Sequence, residues 1–365
     1  MKLSVRLTAI LVLIFVLGLS EVWFADAAFA QGLHQHGSQS AQTSLSSGDP
    51  LASIVHGATL GTAVFLAGLV AFVALVWLPN SQVEEDADQQ KILGLFGRWM
   101  WVLVGLLVVA GLVELPLYAV RASGEALSPG LLAEALFDTR VGELWIERVV
   151  FGVLTATVAT YATRPGRPAY WWGAAILASA VLLVTLTRQS HAAAQEGFLP
   201  FAADWLHVMA ASLWMGGLLG FPILLVGPLR TMPAETRAKL LGRVVPRFSK
   251  VATMAVMSLV LTGLVAVLLH VPNPAALIDT PYGRALSLKL GLLIFLLALG
   301  AQNLRLRGRE PFGTLVRIEL VLAIGIFVAT GFLTSLPPAD QPTAQENQAP
   351  SIDQSLRQPP MPKPP

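Results

Sequence analysis

Eight long apolar segments constrain this chain more than any other feature of its sequence. A helix needs about 20 apolar residues to cross the hydrocarbon core of a bilayer. Because a backbone in lipid must satisfy its own hydrogen bonds, such segments are expected to be helical. The sequence therefore predicts an all-α, polytopic membrane protein with eight transmembrane helices, at approximately 52–79, 99–121, 145–163, 170–187, 202–226, 250–271, 285–304 and 314–335.

The composition excludes several functional classes. Charged residues make up 13% of the 365 residues and hydrophobic residues 55%, whereas a soluble chain carries roughly 25% charge. The low content of charged residues excludes an ordinary cytosolic enzyme and a disordered protein. A net charge of +2 is too small to indicate nucleic-acid binding, so a nucleic-acid-binding protein is excluded as well. Without any cysteine, the chain can form no disulfide scaffold and no thiolate metal cage.

The two ends differ from the apolar middle. Lys2 and Arg6 precede an apolar run, and an A-x-A cleavage site ends at Ala30, which predicts a secretory signal peptide over 1–30. The alternative is an uncleaved first helix. We expect 31–50 to be an extracytoplasmic leader, 51–335 the eight-helix membrane domain, and 336–365, which holds nine prolines, a disordered extracytoplasmic tail.

The distribution of Lys and Arg predicts the orientation. With the mature N-terminus outside, fourteen of these residues fall at the inner side and six at the outer side, as the positive-inside rule requires. We therefore expect a multi-pass membrane protein with both mature termini extracytoplasmic. An aromatic belt is expected at the inner interface, formed by Trp77, Trp99, Trp101, Tyr161, Tyr170, Trp171 and Trp172.

The chain also contains signs of an internal duplication, with halves at about 52–187 and 202–335. A D-T-x-x-G motif begins at Asp138 and again at Asp279, 141 residues on, and each copy is followed by a cation, Arg148 or Lys289. Four helices per repeat give both repeats the same topology, so a 4+4 arrangement with a pseudo-two-fold axis along the membrane normal is predicted.

Two histidines occupy matching positions in these halves. His56 lies about five residues into the first span and His207 about six into the fifth, which places both roughly 7–10 Å below the outer surface. Ionisable groups within a membrane segment are functional candidates. The alternative is that each imidazole bonds only a backbone carbonyl or a Ser/Thr hydroxyl of a neighbouring helix.

Further candidate ligands surround this pair. Asp204 precedes His207 by three residues on one helix face; its carboxylate can accept one imidazole N–H and leave the other nitrogen for a metal. His191 and His270 lie near the outer interface, and Met209 lies one turn from the pair in depth. The leader adds a weak His34-x-His36 pair.

This ligand set favours copper. Imidazole suits copper, zinc, iron and nickel, and a thioether adds a bias towards Cu(I). Met215, Met254 and Met257 can pass a soft cation inward, or simply pack or face lipid. ATP-driven pumping is not expected, since the chain has no phosphate loop and no D-K-T-G phosphorylation motif.

With these residues in view, the chain resembles the copper resistance protein D (CopD) family of bacterial inner-membrane proteins. The resemblance implies copper transport across the cytoplasmic membrane, inward, beside a periplasmic copper-binding partner of the CopC type. Because only twenty residues separate the signal from the first span, that partner is expected to be a separate chain. The motifs that carry the resemblance are Ser190-His191-Ala192, Asp204-Trp205-Leu206-His207 with Trp214-Met215-Gly216-Gly217, Arg247-Phe248-Ser249 with Thr262-Gly263-Leu264, and Thr280-Pro281-Tyr282-Gly283-Arg284 with Lys289.

Three functions remain open at this stage, and none of them is enzymatic. The leading hypothesis is a copper transporter that takes the ion from the outer face through His56 and His207, helped by His191, His270 and Asp204. The second is a membrane b-type cytochrome in which His56 and His207 are the axial ligands of one haem. The third is a copper-sensing or assembly partner that transports nothing. Copper and membrane lipid are the expected partners; nucleotides and nucleic acids are not.

The orientation makes a direct prediction for reporter fusions. Fusions at Glu85, Pro165 and Ala234 should report a cytoplasmic location, because the Lys and Arg excess lies on that side. Fusions at Gly130 and Pro274 should report an external location. An inverted pattern at two or more of these sites would contradict the topology and the outer-face metal site with it.

Overall fold

The computed structural model describes residues 50–80, 86–190, 198–271, 273–305 and 314–336. The predicted signal peptide, nearly all of the leader and all but the first residue of the predicted tail lie outside the described residues. His34, His36 and His191 lie outside them too. Nothing in the structure therefore tests these predictions.

The described ranges are helical and contain no strand, which confirms the all-α class. Every predicted span falls within a helix. The helices are α1 (Pro50–Ala71), α2 (Asp86–Ser123), α3 (Pro129–Phe137), α4 (Arg140–Ala162), α5 (Tyr170–Thr187), α6 (Phe198–Gly220), α7 (Val226–Thr231), α8 (Ala234–His270), α9 (Ala276–Asp279), α10 (Pro281–Arg305) and α11 (Thr314–Ser335).

Six of these helices are long and apolar enough to cross a membrane: α1, α2, α5, α6, α8 and α10. The chain is thus a polytopic membrane protein, while the count of eight spans stays a prediction. Helix α4 differs because its first turns carry four charged residues, which are costly in hydrocarbon; they are Arg140, Glu143, Glu147 and Arg148. In α11 the apolar run is shorter, from Val321 to Thr334.

Two helices are much longer than the apolar segments inside them. Helix α2 has 38 residues and α8 has 37, so each extends about 55 Å at 1.5 Å per residue. A hydrocarbon core is only about 30 Å thick. The amino-terminal parts of both helices are polar, so each helix begins before the apolar span predicted within it, at 99 or 250.

Helix α1 is the centre of the bundle. It packs against α2, α5, α6 and α11, and its side chains Leu66, Leu69 and Val70 are fully buried. Helices α8 and α10 lie at the periphery, where few of their apolar side chains are buried. The core is therefore built around the first span.

The central contact is a crossing of α1 and α6 at glycines. A Cβ atom built on Gly68 would lie 2.7 Å from the Cα of Gly216, and one built on Gly216 would lie 2.6 Å from the Cα of Gly68. Neither position has room for a side chain. The two backbones can approach this closely only because both residues are glycine.

Several local structures recur in the two halves. Thr139 Oγ1 accepts a hydrogen bond from Gly142 N at 3.2 Å, and Thr280 Oγ1 accepts one from Gly283 N at 2.9 Å. Each motif thereby starts a helix, α4 or α10. In addition, α1 and α6 each continue into one π-helical segment, Phe72–Trp77 and Phe221–Leu225. Such pairs are what a duplication would produce; the duplication itself stays a prediction.

Some of the aromatic residues predicted to form a belt pack together. Tyr161 stacks edge-on with Trp171 at 4.7 Å between ring centroids, and Arg167 lies 4.3 Å above the Tyr161 ring. Such groups suit a headgroup interface. Trp77 differs from the prediction, because it is 0% exposed and belongs to the main hydrophobic core.

The glycine crossing predicts a position-specific loss of stability. Gly216→Ala adds a Cβ where the Gly68 backbone lies, so we expect a loss of about 1–3 kcal/mol in the free energy of unfolding. The measurement is the thermal melting of the detergent-solubilised protein. Gly105→Ala is the matched control, since a Cβ there meets nothing within 4 Å and alanine favours a helix. Equal melting temperatures for the two variants would contradict the crossing.

Candidate metal centre

His56 is held by a carboxylate from the neighbouring helix. Its Nδ1 lies 2.7 Å from Oε1 of Glu114, which projects from α2. Thr59 Oγ1, one turn along α1, donates to the other carboxylate oxygen at 2.8 Å. Because an ionised carboxylate only accepts hydrogen bonds, Nδ1 of His56 carries the proton. When the ring is neutral, its lone pair lies on Nε2, where it can bind a metal.

Arg148 completes this polar cluster from α4. It is only 2% exposed, and its guanidinium donates to Gln189 Oε1 at 2.7 Å, to the Thr185 carbonyl at 3.2 Å and to Thr185 Oγ1 at 3.3 Å. It also attracts Glu114 electrostatically. The two charged groups share one small cavity, lined by Gly111, Glu114, Leu115, Val141, Trp145, Arg148 and Gln189.

His207 is held in a similar way by α8. Its Nδ1 lies 2.9 Å from Thr262 Oγ1. The hydroxyl proton of Thr262 is already donated to the Ser258 carbonyl at 2.7 Å, so Thr262 accepts the N–H of Nδ1. Both histidines therefore take the same tautomer, with Nε2 as the available ligand atom.

Asp204 does not form the hydrogen bond predicted from its i, i+3 position. It accepts from Ser190 Oγ at 3.0 Å, while His207 Nδ1 bonds Thr262; among the described residues the Asp204–His207 hydrogen bond is absent. The partner of His207 is Thr262 on α8, a neighbouring helix, and residue spacing within one helix cannot reveal such a partner. Asp204 interacts electrostatically with Lys289 of α10, which also acts on His207.

In the described part of the chain, the remaining predicted ligands do not form one cluster. Met209 packs against the main hydrophobic core. His270 ends α8, and its side chain is not described. His191 lies outside the described residues. Within the described part of the chain, no three His, Cys, Asp or Glu residues are grouped so as to hold a metal, so the predicted site is neither confirmed nor contradicted.

The three methionines proposed for an inward path differ in exposure. Met254 and Met257 are 66% and 58% exposed on α8, whereas Met215 is 4% exposed. The exposure of Met254 and Met257 fits the alternative of lipid-facing side chains, and the passage of copper along these methionines stays a prediction.

Sequence reasoning missed Glu114 and Arg148 as members of the site. Glu114 is an ionisable residue inside a predicted span, which is itself a signal. The sequence repeat aligned Arg148 with Lys289, but Arg148 was assigned no function in the site. Neither could be joined to His56 without knowing which helices are neighbours.

The fold defines a polytopic all-α membrane protein, and the two imidazoles within its helices are candidate functional groups. Comparison with known families identifies the family to which the chain belongs. Residues 47–201 match the N-terminal domain of the copper resistance protein D-like family, and residues 242–333 match copper resistance protein D. Together these ranges cover more than half of the chain, and the chain belongs to the copper resistance protein D family.

Two relatives agree with this assignment. The chain is 28% identical over 302 residues to "Copper transport protein CutJ" of Bacillus subtilis (strain 168), covering 79% of this chain and 54% of the relative. It is 29% identical over 208 residues to "Copper resistance protein D" of Pseudomonas syringae pv. tomato, covering 55% of this chain and 65% of the relative. The chain thus spans about half to two thirds of the length of these relatives. No solved structure matches it.

The tautomers can be tested without any metal. In Thr262→Val, His207 loses the side-chain acceptor of its Nδ1–H and keeps its backbone hydrogen bond to Leu259, so the populations of its two tautomers should change while those of His56 stay unchanged. Nitrogen NMR of histidine-labelled protein measures both rings. Thr253→Val is the control, since Thr253 bonds only its own helix, at the Ser249 carbonyl. Unchanged His207 signals in Thr262→Val would contradict the assignment.

Proposed function

We propose that this protein transports copper inward across the cytoplasmic membrane of a bacterium and so serves copper homeostasis and resistance. The observation that carries the proposal is the pair His56 and His207. Each is held by Nδ1 at the matching position of its half and leaves Nε2 for the ion. Copper binds imidazole most strongly among the divalent ions concerned.

The two imidazoles are proposed to receive copper at the outer face. His191, His270 and Met209 would add ligands at the same depth, and Asp204 would contribute negative charge. The orientation with both mature termini outside, inferred from the Lys and Arg distribution, would place these residues on the side from which copper arrives. A separate periplasmic CopC-type chain would be the donor.

The family favours copper over haem as the ligand. Both named relatives are copper proteins by name, and nothing in the comparisons points to a cytochrome. A sensing or assembly partner would bind copper without moving it, so uptake into vesicles separates that alternative from a transporter.

The test is made at His207. His207→Ala removes a nitrogen ligand, so stoichiometric copper binding and uptake into reconstituted vesicles should be lost while expression stays intact. Glu114→Gln keeps both imidazoles and should weaken copper affinity by about 10–100-fold, because Glu114 hydrogen-bonds the His56 ring. Asp204→Asn removes only a nearby negative charge and should have a smaller effect.

The matched control is Met257→Leu, because this side chain is 58% exposed and should leave binding unchanged. Copper stoichiometry and expression are measured on one preparation. Normal binding by well-expressed His207→Ala protein would end the proposal, whereas low expression with normal residual binding would mean that the histidine is merely structural.

A further inference from the structure

We propose that two matched apolar residues, Phe137 and Ile278, anchor the protein in the lipid interface at the end of the bundle that holds the two histidines. The partner is membrane lipid, and each side chain inserts at the boundary between headgroups and acyl chains. Phe137 ends α3 and is 72% exposed, and Ile278 on α9 is 74% exposed. Each residue directly precedes the aspartate of a D-T-x-x-G motif.

Each of these residues adjoins a small hydrophobic cluster that is separate from the main core. The first cluster includes Leu115, Ala119 and Leu136, and the second includes Val267, Val271 and Leu277. In both clusters a pair of residues one turn apart on a long helix meets the residue just before the exposed one. The first cluster begins directly after Glu114, the partner of His56, and the second lies on α8 beyond Thr262, the partner of His207. Both clusters therefore lie at the end of the bundle that holds the histidines.

A rigid turn fixes the direction of each exposed residue. Thr139 Oγ1 donates at 2.5 Å to the carbonyl of the residue four positions before it, and Thr280 Oγ1 does the same at 2.7 Å. Each hydroxyl also accepts the N–H of the glycine in its motif, at the start of α4 or α10. A Cβ built on Gly142 or Gly283 would collide with that same carbonyl oxygen. The short helix is thus packed directly on the start of the long one, and the residue before the aspartate stays exposed.

The surroundings of α3 favour lipid over water around Phe137. Helix α3 packs on Leu115 and Ala119, and both lie inside the part of α2 that can cross a membrane. Leu112, one turn further into that span, is itself 56% exposed, so the lipid-facing surface of α2 reaches close to the level of α3. Asp138 is exposed as well, and a carboxylate is costly within hydrocarbon. An apolar side chain beside an exposed charge is typical of a segment that lies in the interface.

Lipid also accounts for the pair of residues better than a single protein partner does. The first cluster lies on α2, which packs mainly against α1 and α4, whereas the second lies on α8, which packs mainly against α6. The two clusters therefore occupy different parts of the bundle surface. Lipid surrounds the whole bundle and meets both residues, but a protein bound on one side would cover only one of them.

The experiment uses the lack of cysteine in the chain. Phe137→Cys and Ile278→Cys, made separately in the full chain, each carry one nitroxide label in lipid vesicles. Electron paramagnetic resonance measures how accessible the label is to oxygen, which concentrates in hydrocarbon, and to chromium(III) oxalate, a charged complex that stays in water. Leu112→Cys is the lipid reference. Glu125→Cys, in the exposed loop between α2 and α3, is the water reference.

Both labels should resemble the lipid reference. We expect an oxygen-to-chromium accessibility ratio about tenfold above that of Glu125→Cys, because a charged complex is costly to transfer out of water. A ratio like that of the water reference, at either position in folded protein, would overturn the proposal. A label shielded from both reagents would indicate a protein partner and would overturn it too. If one of the two variants fails to fold, the other decides alone.

The outcome is independent of the proposed copper transport, because no metal ion takes part in the measurement. Copper uptake by the unlabelled chain is measured in the same vesicles. Failure of the lipid contact with normal uptake would overturn only the anchoring, whereas lipid-like labels without uptake would overturn only the transport function.

Discussion

The close approach of α1 and α6 at Gly68 and Gly216 sets the arrangement of the whole bundle. Because two backbones in contact leave no room for a Cβ, this pair fixes the distance between the two halves. Each helix then carries its histidine towards the same end, and each histidine is held by the helix that follows it, α2 for His56 and α8 for His207. The geometry of the candidate site thus follows from packing some turns away from it.

The two halves hold their histidines with different chemistry. Glu114 gives His56 a charge-assisted hydrogen bond, which is stronger than the neutral bond that Thr262 gives His207. A carboxylate partner also raises the basicity of the ligand nitrogen. The His56 ring is therefore the stronger σ-donor of the two, and a cation that contacts both would have an energetic preference between them.

Much of the fold could be predicted because lipid permits few structures. The apolar runs located the eight long helices, whereas the short helices α3, α7 and α9 were not predicted. The D-T-x-x-G motifs, which were noticed as a repeat, cap the starts of α4 and α10. Helices α2 and α8 begin before the predicted spans, because their first turns are polar and give no apolar signal. Within the site, the histidines were found from their position in the spans, but Asp204 was given the wrong partner. Hydrogen bonds between helices, such as His56–Glu114, depend on which helices are neighbours, and spacing within one helix carries no such information.

The paired π-helical segments bear on the history of the chain. A single π turn adds one residue to an α-helix, and one added residue rotates everything beyond it by about 100°. Phe72 and Phe221 begin their segments at corresponding places and meet at 5.2 Å between ring centroids. Two independent insertions at one place would each have had to survive that rotation alone. A common ancestor of two duplicated halves would have needed only one insertion, so under the predicted duplication the extra residue would be older than the doubling.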